Sequence, residues 1–513
     1  MNPPTSPPLG AKPPLYLAAT LGGAAVMILE LLGTRIIGPF YGASLYVWSA
    51  LIAVTLIALA LGYYLGGYVA DRFPGFRLEH VIMAGALATV AIPYASGPVL
   101  ALTDPLGLRV GAFASALLLF TPALTALAMV GPYAIKRATR DLEGVGTAVG
   151  SVYAVSTLGS VAGTLLLGFY LLPRFGTRAI LFSLGLALVA LAVLLVSRGR
   201  RGRAASRAAW LVWAAGIAVG LLSIAGYAQP PRQAPGFKVL SEAESIYGWV
   251  RVVDDEKNGY RLLLSDSSVL SAEETASGRS LLNYQTFFRW IPLFRPESRD
   301  ALLIGLGGGH VARDLRKAGI TTDTIEIDPE VATAAREYFG YQPTGEFIVG
   351  DARFEIKRLK KRYDFIMHDC FTGGSEPTHL LSREMLGELR GLLNERGILA
   401  VNYVGFREGE GSEAVASVYK TLKTLFPSLR VFTTENGEFT DFIFLASAEP
   451  LELDANSQDK RLKVLLEHEY TMSGDSGVVV TDDYNPMESL QVRKAETYRK
   501  IFMERVAFDL LLR

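Results

Sequence analysis

Three carboxylates follow a glycine loop at intervals that could hold a nucleoside. The loop is Ala301-Leu-Leu-Ile-Gly-Leu-Gly-Gly-Gly-His310, an apolar run passing into glycines and then into a helix-like segment, Val311–Ala318. Gly305, Gly307 and Gly309 allow a tight turn and close backbone approach to a ligand. A nicotinamide site wants Gly-x-Gly-x-x-Gly, and here the sixth position is His310. Gly-x-Gly-x-Gly suits instead a nucleoside of the adenosylmethionine type, which has no pyrophosphate to cradle. Glu326 stands 19 residues after Gly307, at the end of Thr324–Asp328, near the spacing of a ribose-binding acid. Asp351 ends Phe347–Ala352 and is placed to meet an adenine amino group. Asp369 ends Tyr363–Asp369. Ligands of open α/β sheets sit at such strand ends. Asp328, two residues beyond Glu326 at the end of the same strand, joins the expected nucleoside-binding set.

The chemistry such a set could perform is alkyl transfer. A sulfonium nucleoside gives up a methyl or an aminopropyl group to a nucleophile by in-line displacement. The protein must position both partners and supply an uncharged amine. Asp369, Asp482, Asp483 and Glu376 could attract a cationic acceptor, with Tyr484 beside them. Asp369 or Asp483 is the expected base. Tyr284 and Gln285 could hold the tail of the nucleoside. Each has a plainer reading: a strand cap for Asp369, a solvated loop for Asp482 and Asp483, helix packing for Tyr284 and Gln285. Cys370 reads as a buried, inert thiol, and His379 as a packing residue.

The elements that position these residues occupy only the second half of the chain. Of 513 residues, half are hydrophobic and 19% charged, with a mean hydropathy of +0.28. Soluble domains carry about 25% charge. Fifty acids balance fifty bases, so nothing points to bulk nucleic-acid binding. One cysteine excludes an intrachain disulfide, and five scattered histidines give no expected metal site.

Residues 1–14, with six prolines, read as a disordered tail. From 15 to 228 run seven apolar stretches: 15–37, 44–69, 79–101, 109–134, 145–171, 177–197 and 208–228. Each approaches the ~20 residues that cross a bilayer, which predicts a multi-pass helical domain of about seven helices. Basic residues concentrate in the loops after the second, fourth and sixth stretches, which places those loops and the N-terminus in the cytoplasm. Seven crossings would then put the soluble half outside, whereas the cytosolic supply of a nucleoside of this type predicts it on the cytoplasmic side. Glu30, an acid inside the first stretch, is expected to be paired with Arg35 or with another helix, or to meet a cationic or lipid-linked substrate. Gly62, Gly66 and Gly67 suggest close helix packing.

A linker at 229–237 leads into a small β-unit, 238–272, with a hairpin turn at Asn258-Gly259. With its connector it forms a domain over 238–290. Alternating strands and helices over 291–513 predict a class I methyltransferase-like, Rossmann-like α/β domain.

The soluble half, over roughly 238–495, resembles the spermidine synthases, the polyamine aminopropyltransferases. The residues that carry this are Tyr284-Gln285, the glycines at 307–309, Glu326, Asp351-Ala352, Asp369 and Asp483-Tyr484-Asn485-Pro486. With Glu30–Arg35, Trp48, Gly62–Gly67, Asp71-Arg72 and Pro377–Leu381, the whole chain is similar to membrane-fused members of that family. The resemblance implies S-adenosylmethionine or its decarboxylated form, a polyamine acceptor and a membrane location. A homodimer is a further expectation, among oligomeric states the sequence does not fix. Two positions depart from the family pattern. Where it carries Asp-Ser-Ser-Asp-Pro, this chain has Asp369-Cys370-Phe371-Thr372, so threonine stands at the position of the second acid. His310 stands where an acid is usual in the glycine loop. Alternatives are therefore a methyltransferase acting on a polyamine or on a membrane or exported substrate, and a transporter or sensor with a non-catalytic nucleoside-binding domain.

Overall fold

The structure is a computed structural model. It describes residues 13–42, 45–73, 75–139, 144–199, 207–227, 234–371, 374–453, 459–472, 476–506 and 508–511. The proposed tail falls outside these residues up to position 12, as do most of the linker and Thr372. Two compact units divide the chain, the first ending at Arg232 and the second running Gln233–Leu511.

The first unit is all helix: α1 (Pro13–Tyr41), α2 (Leu45–Arg72), α3 (Leu78–Thr103), α4 (Gly107–Ala128), α5 (Val130–Ala138), α6 (Val145–Leu166), α7 (Thr177–Gly199) and α8 (Arg207–Tyr227). Among the described residues, five stretches are long and apolar enough to cross a membrane, which corrects the expected seven. The third and fourth apolar runs are joined through the turn Asp104–Leu106 into one 61-residue stretch, Leu78–Ala138. In the last run, the shorter apolar stretch Val212–Gly226 lies within α8.

Small residues set the approach of these helices. A Cβ at Gly159 of α6 would lie 2.0 Å from the Thr20 carbonyl of α1, and one at Gly62 of α2 would lie 2.4 Å from Ala128 Cβ of α4. Gly66 is similarly close to Met129, but a Cβ at Gly67 would meet nothing within 4 Å. The Glu30 side chain hydrogen-bonds Thr55 of α2. Asp71 forms an ion pair with Lys136 at 2.8 Å.

The second unit opens with an antiparallel sheet in the order β1-β2-β3-β4: Phe237–Glu244, Trp249–Asp255, Tyr260–Ser265 and Ser268–Glu274. The expected hairpin joins β2 to β3. Asp255 Oδ1 accepts the Lys257 and Asn258 amides, both at 3.1 Å, and Gly259 takes φ +70°. Val250, Val252 and Leu263 of this sheet pack on Val331, Ala334 and Phe339.

A seven-stranded sheet follows: β5 (Asp300–Ile304), β6 (Thr321–Glu326), β7 (Phe347–Val349), β8 (Tyr363–His368), β9 (Leu393–Phe406), β10 (Ser428–Thr433) and β11 (Phe439–Ser447). Its order is β10-β11-β9-β8-β5-β6-β7, parallel from β7 to β9 and antiparallel through β11 and β10. This is the expected α/β class. The parallel strands read as continuous apolar runs because both faces are covered. One face lies under Met385, Leu386, Val418 and Leu422, the other under Phe288, Val311, Leu315 and Ala335. These come from α9 (Asn283–Trp290), α10 (His310–Lys317), α11 (Pro329–Tyr338), α13 (Arg383–Gly391) and α14 (Ser412–Leu425), with α12 (Ala352–Glu355) between α11 and α13. Further helices are α15 (Lys460–Glu467), α16 (Met487–Leu490) and α17 (Val492–Arg505).

Strand order reverses between β5 and β8, where Ile304 and His368 stand in register. The glycine loop after β5 and Asp369 after β8 therefore emerge side by side. A crevice at such a switch point is where open sheets bind ligands.

Candidate active site

The glycine loop comes first because its backbone dictates the rest. Asp369 N donates to the Ile304 carbonyl at 2.8 Å. Gly305, at φ +89°, passes so close that a Cβ there would stand 2.0 Å from the Asp369 carbonyl. Gly307, at φ +53°, faces the Leu270 carbonyl and Ser271 Oγ, each 3.0 Å from where a Cβ would be. Only glycine fits both positions.

The small sheet braces this loop from outside. Ser271 and Glu273 are two residues apart on β4 and so share a face. Ser271 Oγ accepts the Gly308 amide at 2.7 Å. Glu273 Oε2 lies 2.9 Å from His310 Nε2, and both side chains are buried. His310 is thus a clasp between the sheet and the loop.

A cavity of about 580 Å³ opens over the switch point, within the usual range for small-molecule sites. Of the residues singled out from sequence, its wall contains Tyr284, Gly305, Gly307, Glu326, Asp351, Ala352 and Asp369, together with His379 and Cys370. Glu326 is buried at the end of β6; its oxygens accept the amides of Leu306, at 2.8 Å, and Asp328, at 3.0 Å. Burial raises its pKa, and these amides oppose the shift. Each carboxylate oxygen keeps a lone pair for a hydroxyl donor. Asp351 caps α12 by accepting the Arg353 amide at 2.7 Å. Positive-φ glycines leaving backbone room, beside an acid that still accepts, fit a nucleoside and its ribose.

Asp369 follows the end of β8 and is half-buried. Tyr284 donates to its Oδ2 at 3.0 Å and Asn402 Nδ2 to its Oδ1 at 3.2 Å. Desolvation pushes its pKa up to about 7; both hydrogen bonds pull it down, and Asp441 and Glu376 push it further up. Burial, with Asp369 alongside, raises the Tyr284 phenol well above its usual value. Tyr284 therefore stays a donor. A carboxyl near 7 that faces a cavity can exchange protons at neutral pH. Cys370 donates to the Ile304 carbonyl at 3.5 Å, and burial raises its thiol pKa, so the thiol stays protonated.

Other expected site residues stand elsewhere. Gly309 carries the turn into α10 at φ +78°, against Tyr341. Asp328 sits behind Glu326, capping α11 through the Glu330 amide and accepting Ser245 Oγ at 2.7 Å. Gln285 Nε2 donates to the Tyr284 hydroxyl at 3.1 Å, and its side chain borders a second cleft with Arg279, Arg289 and Arg313. Glu376 is buried in an ion pair with Lys494, and it also accepts the Val404 amide at 2.8 Å. Burial works against both charges of that pair, and their attraction offsets it. Asp482 pairs with Arg353, and hydrogen bonds from Ser382 and Arg353 lower its pKa. The cavity wall does not include Asp482, Asp483 or Tyr484; Tyr484 is 61% exposed. An acid that already has a cation has less charge to offer a substrate, which separates Glu376 and Asp482 from Asp369.

Sequence reading passed over Asn402 and Asp441, both on the wall. Asn402 is 6% exposed, and its Oδ1 has no partner among the described residues. Asp441 is the third residue of β11, between Thr440 and Phe442, and accepts Thr434 Oγ1 at 3.2 Å. Burial, reinforced by Glu376 and Glu435, pushes it up to about 6. The available signal was a lone acid in an otherwise aromatic strand, Phe439-Thr-Asp-Phe-Ile-Phe444.

The chain is similar to known proteins over this region. Residues 283–440 match the spermine/spermidine synthase domain. A polyamine aminopropyltransferase of Vibrio vulnificus is 44% identical over 177 residues, covering 32% of this chain and 58% of that protein. An N-terminal histidine N-methyltransferase of Emericella nidulans is 31% identical over 219 residues, 38% of this chain and 39% of that protein. The chain thus spans less than two thirds of either relative. A solved structure of a probable spermidine synthase from Corynebacterium glutamicum overlaps 50% of this chain and 94% of its own, at 17% identity and a TM-score of 0.39. The protein is spermidine synthase-like, with the spermine/spermidine synthase domain seated on the parallel core of its second unit.

Proposed function

We propose that the protein is a transferase that alkylates an amine from a sulfonium nucleoside, and that the reaction is aminopropyl transfer from decarboxylated S-adenosylmethionine to a polyamine. The observation that carries this reading is Asp369 on the same cavity wall as Glu326, with hydrogen bonds from Tyr284 and Asn402. The domain match and the Vibrio relative support it.

In this reading the glycine loop and Glu326 hold the nucleoside, with Asp351 and Ala352 at its base. The bound sulfonium supplies an electrophilic carbon. Asp369 takes a proton from the acceptor ammonium and frees a lone pair. The nitrogen forms the new N–C bond, the C–S pair leaves with sulfur as a neutral thioether, and the remaining excess proton stays on the product amine. Tyr284 holds Asp369 in place and limits its basicity. Asp483, off the cavity wall, is the weaker candidate for base.

The apolar helices of the first unit are assigned to a lipid bilayer. The supply of the nucleoside assigns the catalytic unit to the cytoplasmic side, and labelling of single cysteines on either side of the membrane checks this.

Methyl transfer from S-adenosylmethionine is the second reading, favoured by the Emericella relative. Product analysis of the purified full-length chain decides. Methylthioadenosine, formed with an amine and decarboxylated S-adenosylmethionine, is the expected result. Adenosylhomocysteine formed from the intact nucleoside would replace the first reading with the second. Neither product, with neither nucleoside bound, would overturn both.

A further inference from the structure

We propose that the basic cleft between α9 and α10 binds a phosphoryl group, and that it is a ligand site separate from the cavity that holds Asp369. The assignment goes beyond the transfer reading above and does not depend on it.

Three elements converge on this cleft, whose volume is about 310 Å³. Gln285, Thr286 and Arg289 come from α9, Arg313 and Lys317 from α10, and Arg279 from the turn after β4. Gln285 and Arg289 are four residues apart on one helix, as are Arg313 and Lys317 on the other, so each pair shares a face. Phe288 of α9 packs with Val311 and Leu315 of α10 in one core, which holds the two helices together. The wall of this cleft and the wall of the Asp369 cavity have no residue in common.

Arg279, Arg289, Arg313 and Lys317 face a single wall acid, Asp314. That acid pairs with Lys317 at 3.1 Å, a surface contact of small worth. Arg279 reaches Glu274 only at 3.8 Å, and Arg313 reaches Glu273 only at 3.8 Å. Glu273 is already shared with His310. Arg289 has no ion-pair partner among the described residues. Like charges gathered in one concavity repel each other, and an anion that enters it offsets the repulsion.

Two buried atoms point independently to the ligand. Arg313 Nη2 donates to the Gly278 carbonyl, but its buried Nε has no acceptor among the described residues. Gln285 is 4% exposed; its Nε2 is committed to the Tyr284 hydroxyl, and its Oε1 has no donor among the described residues. A buried polar atom without a partner is costly. An anionic oxygen would complete the first atom, and an O–H would complete the second. A phosphate monoester offers both, since its second proton leaves only near about pH 6. A carboxylate offers the first alone. Arginine forks also match phosphate oxygens in pairs, which favours the same class.

The phosphoryl group can belong to a soluble molecule or to a lipid headgroup, and the test separates these sources. The full-length chain is titrated with inorganic diphosphate by calorimetry at fixed ionic strength. Saturable binding is expected, weakened about tenfold or more in Arg289→Ala and less in Arg289→Lys, which keeps the charge and loses the fork. Arg289 is exposed, so neither change threatens the fold, and unchanged melting temperatures check this. Citrate should bind about tenfold more weakly than diphosphate, or worse. Saturating adenosylhomocysteine should leave the diphosphate isotherm in place. The titration is then repeated in nanodiscs with and without phosphatidic acid in phosphatidylcholine. Weaker diphosphate binding with phosphatidic acid assigns the phosphoryl group to a lipid headgroup, and unchanged binding assigns it to a soluble ligand. Four results would overturn the assignment: no saturable binding, equal affinity in Arg289→Ala and the parent, citrate bound as tightly as diphosphate, or displacement by adenosylhomocysteine.

Discussion

Tyr284 gives its phenolic hydrogen to Asp369 Oδ2 at 3.0 Å while its oxygen accepts Gln285 Nε2 at 3.1 Å. The amide behind the phenol fixes the direction of the chain, so the hydroxyl hydrogen faces the carboxylate. A donor aimed at the charged form stabilises it and lowers the pKa. It thereby offsets part of the desolvation that raises Asp369 to about 7.

That pair sets the pH dependence. Asp369 works as a base only when deprotonated, so kcat/KM should rise through about pH 7 and level off above it. The midpoint belongs to the coupled acids Asp369 and Asp441 together. Tyr284→Phe removes the donor and strands the Gln285 amide. The limb should move to higher pH, with kcat/KM at pH 7 falling about 10- to 100-fold. A rate profile with an unmoved limb in this variant would show that Tyr284 does not act on Asp369.

Asp369→Asn should lose activity and gain stability. Unfolded, the aspartate titrates near about 4, and folded near 7. Below the lower value the group is protonated in both states. Between the two, the folded state keeps a proton that the unfolded state releases, so parent stability falls as pH rises and the loss is complete above 7. Asparagine does not titrate. The variant should therefore gain on the parent across this window, by about 1–3 kcal/mol at pH 8. His368, lowered to about 4 by burial, slopes the other way, but in both proteins, and cancels in the difference. Paired thermal melts at pH 5 and pH 8 check this; a constant offset would contradict it.

What sequence made legible was the part of the site governed by local geometry. Gly305, Gly307 and Glu326 follow from a strand, a turn and the next strand, whose lengths are nearly fixed in a βαβ unit, and all three line the cavity. Asp369 follows from its strand end. The small sheet was legible from alternation and the Asn258-Gly259 turn. Asn402 and Asp441 were not, because Asn402 meets Asp369 through the parallel pairing of β9 with β8, and Asp441 reaches the wall through the antiparallel return of β11 beside β9; no local pattern encodes either pairing. The Glu376–Lys494 pair spans 118 positions, so nothing near Glu376 signalled that its charge is neutralised. Gln285 follows Tyr284 on a helix and so points about 100° away from it, toward another cleft. In the first unit, hydropathy located the helices, but two runs separated by a short turn count as one apolar stretch.

Gly159 offers a test of the helical unit. Its missing side chain lets α6 meet α1, with the Thr20 carbonyl 2.0 Å from where a Cβ would stand. Gly163, one turn on, meets Ala24 in the same way. Small residues four apart allow such backbone approach where lipid supplies no hydrophobic drive. Gly159→Ile should force the pair apart and lower the melting temperature in detergent by several degrees, a cost of about 1–3 kcal/mol. Gly67→Ile, on the open side of α2, should melt within about 1 kcal/mol of the parent. Equal melting of the two variants would mean that the α1–α6 contact contributes little.

Ser271 tests whether the small sheet is part of the binding site or an appendage. Its hydroxyl receives the buried Gly308 amide at 2.7 Å, inside the loop expected to face the nucleoside. Ser271→Ala leaves that N–H without a partner at a cost of about 1–3 kcal/mol. The loop can recover part of it only by turning Gly308 elsewhere, which disturbs its neighbours Gly307 and Gly309. Nucleoside affinity should therefore fall about 5- to 50-fold, while the KM for the amine, bound toward Asp369, changes less. Glu273→Gln, which weakens the clasp on His310, should shift the same quantity in the same direction but by less, since the Gly308 bond survives. If calorimetry finds the nucleoside bound as tightly in Ser271→Ala as in the parent, the sheet does not brace the loop for binding.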